Sequence, residues 1–93
     1  MDGFEWDPRK EGANRPQHGV DFADATSVFE DEQALTVRDE ISAVDEPRFL
    51  TLARDLLGRL LVVTWTWRGE RIRLISARRA TGGERRQYRE RGR

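Results

Sequence analysis

Leu60-Leu61-Val62-Val63-Thr64-Trp65-Thr66-Trp67 runs into Arg68-Gly69-Glu70 and then into Arg71-Ile72-Arg73-Leu74-Ile75-Ser76-Ala77-Arg78-Arg79. The first run is rich in β-branched and aromatic residues, which suit a pleated, half-buried surface, and it is the best strand in the chain. Gly69 offers the positive φ of a tight hairpin connection, so the third run returns as the partner strand. If that strand is regular, Ile72 and Leu74 face one way, and Arg71, Arg73, Ile75, Ala77 and Arg79 the other. Upstream, Arg48–Ala53 alternates Phe49, Thr51 and Ala53 against Leu50 and Leu52, with a turn at Leu57-Gly58. A short strand at Ala34–Val37 extends the same antiparallel meander, and Arg38–Pro47 has the composition of an exposed loop.

The N-terminal half reads as helices. Phe4-Glu5-Trp6-Asp7 has the period-2 alternation of a short strand, and Asp7-Pro8 is an N-cap followed by proline at the first helical position. The helix from about Pro8 to Gln17 is polar and interrupted by Gly12 and Pro16, so packing must hold it. His18-Gly19-Val20 is a turn, and Asp21 caps a second helix whose inward face is Phe22, Ala25, Val28 and Phe29. Thr81 caps a last helix, Glu84–Arg91, with no apolar side chain beyond Tyr88; it is expected to be mobile or to need a partner. The sum is an α+β arrangement. N-terminal helices pack on a three- to four-stranded antiparallel sheet with a C-terminal helix, in a single domain over residues 1–93.

Composition removes several function classes. Charged and hydrophobic residues are each 37% of the 93 residues, yet three Trp and four Phe argue for a packed core. There is no Cys for a disulfide or thiolate, and one His removes any multi-His centre, so no metal or cofactor is expected. No apolar run reaches the length of a membrane span, and the acidic start lacks the features of a secretory signal; a cytoplasmic location is the expectation. The zero net charge hides a division. Residues 1–46 carry 13 acidic and 4 basic side chains, and residues 47–93 carry 4 acidic and 13 basic. Every basic residue except Lys10 is Arg, whose planar fork grips phosphate and stacks on bases.

Arg59, Arg68, Arg71, Arg73, Arg78 and Arg79 fall on the central strands and their connections. An antiparallel sheet covered by helices on one side keeps its other face wet. A wet face mixing these arginines with Trp65 and Trp67 would serve single-stranded RNA, with phosphates on guanidinium groups and bases on rings. In the competing reading the tryptophans are core, and the arginines pair with carboxylates from the first half. His18 is the natural candidate for proton transfer, since histidine is the residue type that titrates near neutrality. RNA cleavage needs little more. The ribose 2′-OH is the nucleophile, and the protein orients it, stabilises the phosphorane and protonates the leaving 5′-oxygen. Gly82-Gly83 lacks a phosphate-loop context, and Glu30-Asp31-Glu32 reads as a solvated helix end.

Phe4-Glu5-Trp6-Asp7-Pro8, Lys10, Asn14, His18-Gly19-Val20, Phe22, Ala25 and Val28-Phe29 resemble the opening of BrnT-type toxins. Arg71–Ala80, with Glu84-Arg85-Arg86 and Tyr88, resembles that family's closing block. The resemblance implies a RelE-like fold and a metal-independent endoribonuclease toxin of a type II toxin–antitoxin pair. It also implies an antitoxin similar to BrnA as the partner of a hetero-oligomer. Carried over residue by residue, it implies Lys10, His18, Arg73 and Arg78 as catalytic residues. Arg59, Arg71, Arg79 and Trp67 join them as the RNA-binding set. Pro16 and Gly82-Gly83 depart from the family pattern. Two other classes compete: a non-catalytic nucleic-acid-binding module on the Arg-rich sheet face, and a structural partner of a charged protein. Growth arrest on expression separates the toxin from both.

Overall fold

A computed structural model describes residues 3–41 and 46–91. The chain runs through β1 (Phe4–Trp6), α1 (Pro8–His18) and α2 (Phe22–Ala25), which tightens into a 3-10 turn over Thr26–Glu30. It continues through β2 (Leu35–Asp39), β3 (Arg48–Arg54), β4 (Leu60–Arg68), β5 (Arg71–Arg79) and α3 (Gly82–Glu90). The five strands form one sheet in the order β1-β5-β4-β3-β2. β2 to β5 are the expected antiparallel meander. The sheet is mixed, however, because β1 adds a fifth strand parallel to β5, pairing Glu5 with Arg73. The expected loop from Arg38 gives Arg38 and Asp39 to β2, and its residues 42–45 lie outside the described residues.

Alternation divides the sheet into two faces. Ala53, Leu61, Val63, Trp65, Leu74 and Ala77 pack against Val20, Phe22, Ala25 and Val28 from the helical side. Phe22, Val28, Leu61 and Leu74 are fully enclosed there, and burying each such side chain is worth about 1.5–3 kcal/mol. The second helix is shorter than its apolar period promised: Phe22 to Phe29 is one α turn followed by the 3-10 turn.

The other face carries a smaller cluster of Leu52, Leu60 and Val62, on which Leu35, Leu50, Ala80 and Tyr88 pack. Tyr88 therefore seats α3, which is docked rather than mobile. Its hydroxyl donates to Asp31 Oδ2 at 2.6 Å, and the Arg54 guanidinium lies 5.4 Å from its ring centroid. Burial works to raise the Asp31 pKa, but bonds from Arg54 N–H, the Tyr88 hydroxyl and Gln33 N–H prevail and lower it. Burial and the same Asp31 bond raise that of Tyr88.

Candidate active site

α1 begins at Asp7, whose carboxylate accepts Arg9 N–H at 2.9 Å, with Pro8 at the first helical position. It ends at Gly19, whose φ of 70° allows its N–H to reach the Arg15 carbonyl at 2.7 Å. Pro16 removes the N–H that Gly12 C=O would otherwise receive, yet the helix continues to His18 because outside ties hold it. The Glu11 carboxylate accepts Phe22 N–H at 3.0 Å, taking the place of the absent Asp21 cap bond. Arg15 Nε donates to Asp21 at 2.6 Å. The buried Asn14 amide donates to the Ala77 and Val20 carbonyls at 2.8 and 3.2 Å and accepts Ala77 N–H at 3.1 Å. It thus meets both backbone groups of Ala77 as a neighbouring strand would, beyond the point where β1 stops.

Lys10, Asn14 and His18 follow one another at i, i+4 and i+8, hence along one stripe of α1. Asn14 fixes the middle of that stripe to β5. Along it lies a groove of ≈ 190 Å³, lined from α1 by Lys10, Ala13, Gln17 and His18 and from β5 by Ile75 and Ser76. Two of the four catalytic candidates, Lys10 and His18, are brought together here. Among the described residues, no side-chain hydrogen bond or ion pair engages Lys10, Gln17, His18 or Ser76.

β5 is not regular, which corrects the expected alternation. Thr64 pairs with Ser76 but Trp65 pairs with Leu74, leaving Ile75 as a one-residue bulge. An extra residue reverses the alternation beyond it. Before the bulge, Leu74 faces the helical core and Arg71 and Arg73 face away. After it, Ala77 takes the core side, while Arg78 lines the opposite face with Val62. Arg71, Arg73 and Arg79 therefore do not line one face: Arg79 goes with Ala77, and Arg78 joins Arg71 and Arg73. Five positions apart, Arg73 and Arg78 would oppose each other in a regular strand; the bulge puts them on one face, either side of Ser76. Neither lines the Lys10–His18 groove itself.

Carboxylates orient both arginines. Arg73 Nη1 bonds Glu5 Oε2 at 2.6 Å, and Arg71 Nε lies 3.3 Å from Glu5 Oε1 while its Nη2 donates to the Phe4 carbonyl. Arg78 gives both Nη atoms to Glu84, at 2.8 and 2.9 Å. Glu84 also accepts Thr81 N–H at 2.8 Å, completing a capping box at the start of α3. The hydrogen bond from Arg78 outweighs burial and holds the Glu84 carboxyl down at about 2, from an ordinary 4.5. Among the described residues these contacts use the Nη ends, leaving the Nε edges of Arg73 and Arg78 for an anion.

Three members of the RNA-binding set sit elsewhere: Arg79, on the Ala77 side of β5, and Arg59 and Trp67. Arg59 is only 17% exposed; its Nε and Nη2 lie 2.9 and 2.8 Å from the enclosed Asp55 carboxylate, with Asp24 at 3.9 Å. Its charge is spent inside the β3–β4 turn. Trp65 is core, stacked on Phe49 at 4.7 Å, with the edge of Trp67 at 5.3 Å. Trp67 is 51% exposed but pairs with Ile72, so it stands on the helical side of the sheet, away from Arg71 and Arg73. The expected face mixing tryptophan with arginine does not form. Glu5, Asn14 and Glu84, present in the family-like blocks but expected to carry no role, hold these elements and side chains in place. For Asn14 the i, i+4, i+8 spacing with Lys10 and His18 was the available signal.

Comparison with known proteins agrees with this architecture. The crystal structure of the Brucella abortus ribonuclease toxin BrnT shares the fold, with a TM-score of 0.63 at 22% identity over 84% of this chain and 95% of that one. No curated protein matches the chain. The family model described as "Ribonuclease toxin, BrnT, of type II toxin-antitoxin system" matches residues 6–84. The chain belongs to the BrnT family of ribonuclease toxins of type II toxin–antitoxin systems.

Proposed function

We propose that this chain cleaves RNA on the open face of β5, without a metal ion, and that a BrnA-like antitoxin silences it by covering that face. The observation that carries the reading is the Ile75 bulge, which sets Arg73, Ser76 and Arg78 on one face beside the groove of Lys10 and His18. The nucleophile belongs to the substrate. The 2′-oxygen loses its proton and bonds to phosphorus, the bond from phosphorus to the 5′-oxygen breaks, and that oxygen takes up a proton. The products are a 2′,3′-cyclic phosphate and a free 5′-hydroxyl.

Arg73 and Arg78 hold the scissile phosphate through their Nε edges and stabilise the charge that grows on the phosphorane. Lys10 and His18 stand about 12 Å apart along the helix, from eight residues at 1.5 Å each, so they act at different points of the RNA. His18 moves the proton, and Lys10 steadies a neighbouring phosphate. Induced expression in bacteria is the test. The chain arrests growth, a co-expressed BrnA-like antitoxin relieves the arrest, and Arg73→Ala or Arg78→Ala abolishes it. A folded Arg78→Ala variant that still arrests growth would remove Arg78 from the site.

A further inference from the structure

We infer that the α1–β5 groove is a subsite for one nucleobase next to the cut, and that Gln17 and Ser76 set which base is accepted; this rests on the ribonuclease reading above. The groove combines the surfaces a base requires. Ala13 and Ile75 give an apolar bed for a ring, while the Gln17 amide and the Ser76 hydroxyl line the same space. Among the described residues neither polar group is spent on a protein partner. Single-stranded RNA is read in this way, its splayed bases packed on side chains and bonded along their edges. At ≈ 190 Å³ the groove has room for one base rather than a run of them.

Position favours the assignment. Ser76 sits between Arg73 and Arg78 on β5, so a phosphate held by those arginines places its attached nucleotide beside Ser76. Gln17 precedes His18 on α1, so the edge of that base meets the amide close to the proton-transferring side chain. The bed is also fixed. Asn14 grips Ala77 at both backbone groups, so the strand beneath the base cannot slide along the helix. A rigid bed is what allows a site to discriminate between bases, because a loose one accommodates each in turn.

The amide offers a donor and an acceptor, whereas a carboxylate only accepts. Gln17→Glu should therefore favour adenine, cytosine and guanine, each of which presents an exocyclic amino group, over uracil, which presents none. The experiment maps cleavage of one single-stranded RNA containing all neighbour combinations, using the full chain and the variants Gln17→Ala, Gln17→Glu and Ser76→Ala. The wild type cuts with a definite base preference. Gln17→Ala lowers the ratio of preferred to rejected sites by roughly tenfold, the scale of one good side-chain-to-base pair, while still cutting. Gln17→Glu turns the preference away from uracil, and Ser76→Ala relaxes it in part. Cutting with no base preference, or with one unchanged in all three variants, overturns the inference and leaves the ribonuclease reading standing. A wild type that cuts no RNA overturns both.

Discussion

Arg78 is aimed by Glu84, and the pair ties its guanidinium, the proposed phosphate ligand, to the first turn of α3. Glu84→Gln keeps the shape and the cap but loses the charge. RNA cleavage should fall by roughly tenfold, mainly through a higher KM, because a neutral amide holds the guanidinium less firmly. Circular dichroism should be unchanged, and an unaltered KM would show that Arg78 needs no such aim. Arg78→Lys should recover almost none of the activity lost in Arg78→Ala, since an ammonium cannot bond Glu84 and phosphate in a planar fork. The pair also makes a statement about pH. The Glu84 pKa is depressed on folding, so its contribution to stability is complete above the ordinary value of 4.5 and is lost as pH falls toward about 2. Acid unfolding of wild type and Glu84→Gln should differ by a constant amount near neutrality and converge across that window. Curves that stay parallel throughout would mean that the ionisation of Glu84 contributes nothing to stability.

Two elements owe their placement to single side chains. α1 replaces a strand along the end of β5 through Asn14, and Asn14→Leu would leave the Ala77 N–H and C=O without partners under the helix. The expected cost is about 2 kcal/mol or more in urea unfolding, with loss of RNA cleavage as Lys10 and His18 lose their register. α3 depends on Tyr88. Tyr88→Phe should cost about 1 kcal/mol by removing the bond to Asp31, and amide exchange should quicken in α3 before it does in the sheet. Period and turn chemistry made most elements legible: the β4–β5 hairpin, the Phe49–Thr51–Ala53 face, the Asp7-Pro8 start and the Thr81 cap all follow from local rules. The bulge at Ile75 was not legible, because nothing in Leu74-Ile75-Ser76 marks an unpaired residue, and one such residue exchanges Arg78 for Arg79 on the open face. The parallel pairing of β1 with β5 and the docking of α3 were missed for another reason. Each depends on long-range pairing, of Phe4 with Ile72 and of Tyr88 with Asp31, that no local period records.

Across the whole molecule, the internal pairing of the charge division holds for some arginines and leaves others with a free edge. Glu5 with Arg71 and Arg73, and Asp24 with Arg59, join the acidic half to the basic one. Arg59 is consumed by this internal pairing, whereas Arg73 and Arg78 keep an edge free. Arg85, Arg86 and Arg89 stand exposed on α3, beside the same face, and form a basic border there. An antitoxin covering this region should be acidic where it touches. Its affinity should then weaken steadily as salt rises, because exposed charges are screened beyond about 8–10 Å at physiological ionic strength and over shorter distances as salt is added. An affinity flat across that titration would mean apolar contacts dominate. The central claim is that the substrate's own 2′-OH attacks a phosphate held on the open face of β5. Its most direct test is cleavage of a short RNA by the purified chain in EDTA, beside the same RNA carrying a single 2′-deoxy nucleotide at the cut. The account predicts a 2′,3′-cyclic phosphate product from the first, no cut at the substituted position of the second, and no cleavage of either RNA by Arg73→Ala. Equal cleavage of the deoxy substrate, or cleavage only when a divalent ion is restored, would contradict it.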